Sequence, residues 1–387
     1  MPGQVYQQMG IELLIDEVVK IDRTNKILYT RAGKEVSYEK LVLALGSKPY
    51  IPPIKGVELE NVFTVPKDAN YLAKMKEKLS SLNRVIVVGA GFIGVEVSEQ
   101  LALEGKEVIL VEIMPHILPK AFDADVAKFP AEELEKLGVK IMVNAKILEI
   151  RGNGKVETVI FENGEEVRAD AVILATGYVP NTEIAIEAGF EVNRYRMIRV
   201  DSYMRTVTDP DVFAVGDCAQ KIDFVTRRSV PVMLASTATT EARIAGANLY
   251  ELSTVRTFLG TIAIFSTKVG TLAIGSAGLI EEEAKKNGFD VMVGYAEAID
   301  KHPGTLPNAK KQIVKLIVAK ECGTILGGEV VGGDSAGEII NFIGLAIQKR
   351  MTVSELYTMQ IGTHPLLTAA PTVYPVIKAA ENVIFSR

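Results

Sequence analysis

The 387-residue sequence has only two cysteines, Cys218 and Cys322, far apart along the chain. That excludes a disulfide framework and a cysteine-rich metal site, and it suits a reducing cytoplasm. Three histidines occur, none with the His-x-x-x-His spacing that zinc uses, so no metal is expected. An excess of one charge is also missing. The 43 basic and 48 acidic side chains leave a net charge of −5, which gives no electrostatic reason to expect nucleic acid or an anionic membrane as partner. No apolar run is long enough for a membrane span, and MPGQVYQQMG lacks the basic and apolar regions of a signal peptide. No internal repeat or low-complexity tract is visible. What remains is an ordinary globular composition, 48% hydrophobic and 24% charged, in a chain long enough for two or three cores.

Local punctuation divides that length. Residues 11–30 and 36–45 are β-branched runs joined by RTNK and RAGK turns. GSKPYIPPIKGV (46–57) is too rich in proline for a helix. Residues 68–82 read as a helix, and VAKFPAEELEKLG as a longer one kinked at Pro130 and ended by Gly138. Strands are expected at 139–143, 147–151, 156–162 and 170–174, with NG turns at 153–154 and 163–164. Beyond residue 259, TIAIFSTKVGTLAIGSAG and QIVKLIVAKECGTILGGEVVG read as antiparallel strands. AGEIINFIGLAIQKR reads as an amphipathic helix, so this region is expected to be α+β.

The densest signal is VIVVGAGFIGVEVSEQLALEGKEVILVE, residues 85–112. Gly89, Gly91 and Gly94 follow an apolar strand directly and open a helix. The first glycine permits a tight turn, the second lets a pyrophosphate approach the backbone, and the third lets helix and strand pack closely. Phe92 and Ile93 lie between them, at the helix start where the phosphates would rest. Glu112 ends the next strand, eighteen residues after Gly94, where it can accept the adenosine ribose hydroxyls. Its carboxylate would repel a 2′-phosphate and no arginine follows in IMPHILPK, so NADH is favoured over NADPH. Glu96, on the first turn of that helix, is either a carboxylate stabilised by the helix dipole or a group that needs a partner from elsewhere in the chain.

Two further segments end strands in small residues. In DAVILATGYVPN (170–181), Thr176 and Gly177 let the backbone pass close to something bulky. In TDPDVFAVGDCAQ (208–220), Gly216 permits a sharp turn that aims Asp217 at whatever lies beyond the strand, unless Asp217 merely caps the next segment. Cys218 beside it reads as a buried small hydrophobe. YEKLVLALGSKP (38–49) repeats the first form with Leu45 in place of threonine.

Together these residues resemble the pyridine nucleotide-disulfide oxidoreductases, and most closely the branch of NADH oxidases, NADH peroxidases and coenzyme A-disulfide or persulfide reductases. The resemblance covers nearly the whole chain. YEKLVLALGSKPYIPPIKG looks like the return from FAD domain to NAD domain, and VIVVGAGFIGVE like the NAD fingerprint. ATGYVPN looks like the exit from the NAD domain and DVFAVGDCA like the second flavin motif. PVMLASTATTEARIAGANL resembles the helix under the flavin ring, with Ala235 at the cofactor. The implied fold is α/β: two Rossmann-like nucleotide-binding domains, the FAD one incomplete, plus a C-terminal α+β dimerisation domain. The implied boundaries are 1–64 and 182–259 for the FAD domain, 65–181 for the NAD domain and 260–387 for dimerisation.

That resemblance also assigns roles. Asp217 would hydrogen-bond the flavin ribityl chain, and Glu96 would lie near the nicotinamide and flavin rings, holding a lysine of the FAD domain. His364, in IGTHPLLTAAPTVYP, resembles the histidine that reaches across a dimer as general acid or base. Its expected acidic partner is replaced by Ala369, and the tyrosine-proline-proline run of coenzyme A-disulfide reductases is absent; Tyr374 is a weaker alternative to it. His116 and His302 are expected in loops. The family's first glycine fingerprint and its redox cysteine have no counterpart, so the chain is expected to be a fragment of a longer protein, the alternative being a shortened protein that folds without a complete flavin site. The function implied is FAD-dependent oxidation of NADH, as a cytoplasmic homodimer, with oxygen or a sulfur compound as small-molecule acceptor. The alternatives are a non-catalytic NADH-binding dimer and a reductase for a small redox protein such as rubredoxin.

Overall fold

The computed structural model describes residues 3–252 and 257–386. Positions 1–2, 253–256 and 387, which fall inside the expected FAD and dimerisation segments, lie outside the described residues. The chain forms two units. One comprises Met1–Ser47, Val179–Ile222 and Ser229–Thr261; the other comprises Lys48–Tyr178, Asp223–Arg228 and Ile262–Arg387.

The larger unit contains a five-stranded sheet in the order Val62–Thr64, Ala171–Leu174, Arg84–Val88, Glu107–Val111, Lys140–Met142. All its pairings are parallel. The reason is visible in RVIVV and AVIL, uninterrupted apolar runs that can only be buried on both faces, as parallel strands are. Val85, Ile86 and Val87 are fully buried, as are Ala171, Val172 and Ile173. Helix Phe92–Leu103 crosses from strand Arg84–Val88 to strand Glu107–Val111, while helix Ala69–Ser80 is started by the Asp68 side chain accepting from Asn70 and Tyr71 N–H. Helix Ala124–Lys136 accommodates Pro130 and ends before Gly138 at φ +89°. The NG turns hold as expected: Ile147–Arg151, Thr158–Phe161 and Glu166–Arg168 form an antiparallel meander turning at Gly154 and Gly164.

The same unit holds a five-stranded antiparallel sheet in the order Phe265–Val269, Leu272–Gly278, Ile325–Gly332, Lys311–Ala319, Val291–Ile299. Period-two alternation gives each strand two faces. Val314, Leu316 and Val318 pack with helices Ala336–Gln348 and Pro375–Phe385. Ile313 joins Val269, Ile274 and Val331 in one apolar core with Val85, Val87, Leu110 and Phe122 of the parallel domain.

The smaller unit has an antiparallel sheet of Val18–Asp22, Ile27–Thr30 and Glu35–Ser37, and a parallel pair of Leu41–Leu43 with Val212–Ala214. Helix Ala235–Asn248 packs its Ala245 into the core formed with Leu43, Phe213 and Cys218. The expected strand from residue 11 starts only at Val18, and Met9, Leu13 and Ile15 are exposed. Apolar residues without a packing partner do not acquire a strand from their β-propensity alone. No described helix is long and apolar enough to cross a membrane.

Candidate functional site

The glycine turn in the larger unit is built as its sequence requires. Gly89 sits at φ +96°, in the left-handed region, and a Cβ there would meet the Ala175 carbonyl oxygen at 2.6 Å. A Cβ on Gly94 would lie 1.8 Å from the Gly89 oxygen, so the third glycine is fixed by helix-to-turn packing. At Gly91 nothing lies within 4 Å of that position. Gly91 is also the N-cap of helix Phe92–Leu103, with no side-chain cap and no acid in the first turn; the helix begins at Phe92, so Glu96 falls in the second turn and not the first. An open helix start with bare backbone suits a pyrophosphate. Beside it, Glu112 is 8% exposed; its Oε2 accepts from Ala90 N–H at 2.7 Å and its Oε1 from Met114 N–H at 3.0 Å. Each carboxylate oxygen has a second lone pair available for a hydroxyl. The turn and its acid fit a dinucleotide.

Phe92 stacks on Phe265 with centroids 5.0 Å apart, and Ile93 beside it is half-buried. Glu96 is exposed and accepts from Thr267 Oγ1 at 2.7 Å, tying the helix to the C-terminal hairpin. Glu99, one turn further, accepts from Gly270 N–H at 2.6 Å. Thr176 and Gly177 hold backbone: Thr176 Oγ1 donates to the Tyr50 carbonyl at 2.8 Å, and the Gly177 carbonyl accepts from Tyr50 N–H. His364 lies exposed in a turn, its carbonyl accepting from Leu367 and Thr368 N–H and its Nδ1 from Leu366 N–H. Ala369, where an acid was sought, is buried.

In the smaller unit, strand Val212–Ala214 leads to a tight turn, Gly216–Cys218, with Gly216 at φ +72°. Asp217 is 7% exposed and its Oδ2 accepts from Ser47 Oγ at 2.6 Å. Cys218 is fully buried and burial pushes its thiol pKa up, consistent with a structural sulfur. Helix Ala235–Asn248 begins at exposed Ala235 with no side-chain cap. A buried carboxylate and an open helix start suit the hydroxyls and electron-rich ring edge at one end of a flavin. Among the described residues no second glycine turn is present for its pyrophosphate.

Two groups of charged residues escaped the sequence reading. Lys221 and Glu241, 1% and 0% exposed, form an ion pair at 3.0 Å beneath the Asp217 turn. In the larger unit, Lys315 Nζ lies 2.9 Å from Asp123, 2.9 Å from Asp125, 3.1 Å from Glu281 and 3.8 Å from Glu329. Burial alone would lower the lysine, but hydrogen bonds to Asp125 and Asp123 outweigh it and hold the ammonium above its ordinary range. Glu329 is pushed well above the usual carboxylate range, first by burial and then by the neighbouring Asp123 charge. Carboxylate oxygens of Asp123, Asp125 and Glu329 converge within 4.8 Å, around an ammonium that already answers their charge. Asp123 does not cap its own helix; it accepts from Glu281 and Glu282 N–H at the start of another. A charge interrupting an apolar run, as in QIVKLIVA and ILGGEVVG, is the signal that finds such residues, because buried Lys and Glu need partners.

The chain matches the family described as pyridine nucleotide-disulphide oxidoreductase over residues 4–242, and that family's dimerisation domain over residues 264–373. It is 33% identical to an NADH oxidase of Methanocaldococcus jannaschii, over 99% of this chain and 85% of that protein. It is 33% identical to a CoA-dependent NAD(P)H sulfur oxidoreductase of Pyrococcus furiosus, over 99% of this chain and 86% of that one. Among solved structures, an NAD-dependent persulfide reductase from A. fulgidus superimposes with a TM-score of 0.92 at 30% identity, covering 99% of this chain and 70% of that chain. A water-forming NADH oxidase from Lactobacillus brevis, bound to NADH, gives 0.88 at 25%, covering 97% and 83%.

Proposed function

The chain belongs to the pyridine nucleotide-disulphide oxidoreductase family, and we infer that it works as an FAD-dependent NADH oxidoreductase. The observation that carries this reading is the open helix start at Gly91 with Glu112 buried at the end of the adjoining strand. FAD, when bound, supplies the chemistry of accepting a hydride from the nicotinamide and delivering electrons to an acceptor.

The protein's own residues bind and orient. Gly89, Gly91 and Gly94, with the N–H groups around Phe92 and Ile93, would receive the NADH pyrophosphate. Glu112 would take the ribose hydroxyls and exclude a 2′-phosphate. Glu96, anchored by Thr267, would face the nicotinamide end, with Thr176 and Gly177 shaping the backbone beside it. Gly216, Asp217 and Ala235 would hold the flavin, with Asp217 on the ribityl hydroxyls. His364 would serve the partner subunit of a homodimer as acid or base. We take residues 1–47 and 182–259 as the flavin domain, 65–181 as the NADH domain together with residues 48–64, whose strand Val62–Thr64 pairs with Ala171–Leu174 and so moves the expected boundary at 64, and 260–387 as the dimerisation domain. The acceptor is a small molecule, oxygen or a sulfur compound, and the setting is the cytoplasm.

Two measurements test this. The purified chain should be yellow and bleach on addition of NADH; a colourless protein that still binds NADH would make it a non-catalytic binder. Glu112→Ala should weaken NADH binding roughly tenfold, about 1.4 kcal/mol, and erode discrimination against NADPH. Unchanged nucleotide preference would sink the assignment of the glycine turn.

A further inference from the structure

The buried ion pair of the smaller unit has no part in the reading above, yet both its members act on one turn. Lys221 Nζ donates to the carbonyl oxygens of Gly216 at 2.6 Å and Ala219 at 2.8 Å. It also pairs with Glu241 Oε1 at 3.0 Å. Glu241 Oε2 accepts from Gly216 N–H at 2.8 Å. The two charges therefore hold both polar backbone groups of the residue before Asp217 and the carbonyl two residues after it. Gly216 is in the left-handed region at φ +72°, and Ala238 of the same helix as Glu241 lies 3.6 Å from where its Cβ would be.

A pair buried this deeply is a poor device for stability alone. Desolvating an ammonium and a carboxylate costs several kcal/mol, and apolar pairs of similar volume are often as stable. Burial does push the Glu241 carboxyl up, while the Lys221 ammonium and Gly216 N–H pull it back. What charges provide and methylenes do not is direction: fixed donors and an acceptor aimed at particular backbone atoms.

We propose that Lys221 and Glu241 are positioning residues for the flavin, clamping the Gly216–Cys218 turn so that Asp217 is presented to the ribityl hydroxyls in one preset geometry. This rests on the reading of Asp217 as a flavin ligand. The pair touches no cofactor itself. Its effect is preorganisation: a turn already in place loses less entropy when the ligand arrives.

The test is FAD titration of the full chain, followed by flavin fluorescence, alongside thermal melting and amide hydrogen exchange of the flavin-free protein. The double substitution Lys221→Met with Glu241→Gln removes both charges together. It should melt within about 4 °C of the parent, exchange the Gly216 amide faster, and raise the FAD dissociation constant about tenfold or more. Glu241→Asp keeps the charge beside Lys221 but falls one methylene short of Gly216 N–H. It should loosen the same amide and weaken FAD several-fold, and it guards against a double variant that fails to fold. A parent chain that takes up no FAD overturns the reading of Asp217, and this proposal with it. A parent that binds FAD while both folded variants bind it equally well overturns the positioning role alone.

Discussion

Lys221 and Lys315 are both buried ammonium groups, and they are satisfied in opposite ways. Lys221 has one carboxylate and two backbone carbonyls, all within one turn and the helix beneath it. Lys315 has four carboxylates, from a helix start, a neighbouring strand and the beginning of another helix. The first arrangement is neutral and local, and it fixes the shape of a short piece of backbone. The second carries excess negative charge and joins elements distant in sequence, so one of its acids, Glu329, is held above the usual carboxylate range. A buried cation can thus serve as a local template or as a cross-brace, and its partners show which.

The contrast predicts the sizes of effects. Lys315→Met leaves a cluster of carboxylates without its cation and should cost about 3–5 kcal/mol of stability, read by urea unfolding at neutral pH. A loss under about 1 kcal/mol would mean that the brace is dispensable.

Glu329→Gln sharpens the same point through pH. Glu329 binds its proton more tightly when folded, so its contribution is complete below the unfolded value near 4.5 and is lost as pH rises through the raised folded value. The parent chain should therefore lose stability as pH rises above the unfolded value towards the raised folded one, and the E329Q chain should lack that slope. Asp123 and Glu281 are lowered despite burial, by Lys315 and, for Glu281, also Lys285, so they act in the opposite sense at lower pH. An identical slope in both proteins would show that Glu329 is ionised throughout.

The smallest effect belongs to a surface cluster of the other sign balance. Asp211 accepts from Lys26 and Lys40, and the two ammonium groups lower its carboxyl to about 2. Its contribution is present above the unfolded value of 3.8 and lost as pH falls through about 2. Asp211→Asn should flatten that acid limb of the unfolding curve while changing neutral stability by no more than about 1 kcal/mol. Salt should erase the difference; a salt-independent effect would place Asp211 in a less hydrated setting than this geometry gives it.

How much of this was legible beforehand differs by scale. The parallel sheet was readable because both-face burial leaves uninterrupted apolar runs, and Gly154 and Gly164 marked their hairpins through the φ they permit. The longest edge strand, VMVGYAEAI, and the final helix Pro375–Phe385 were not picked out. The first mixes glycine and alanine into its alternation, and the second shows its apolar face only once the sheet it covers is known. The glycine turn and Glu112 were visible because their chemistry is local. Lys221, Glu241, Lys315 and Glu329 were not, since each becomes meaningful only through a partner brought near by the fold. Glu241 lies twenty residues from Lys221, and Asp123 far from Lys315.

Phe92, Glu96 and Glu99 lie at positions that share one helical stripe, and all three engage the hairpin Phe265–Gly278. Beneath them a single apolar interior serves both sheets. The portion built on the parallel sheet is therefore not a detachable module. Excised on its own it would expose an apolar seam, and recombining it with a foreign C-terminal half would require that half to supply a matching aromatic ring and two matching donors.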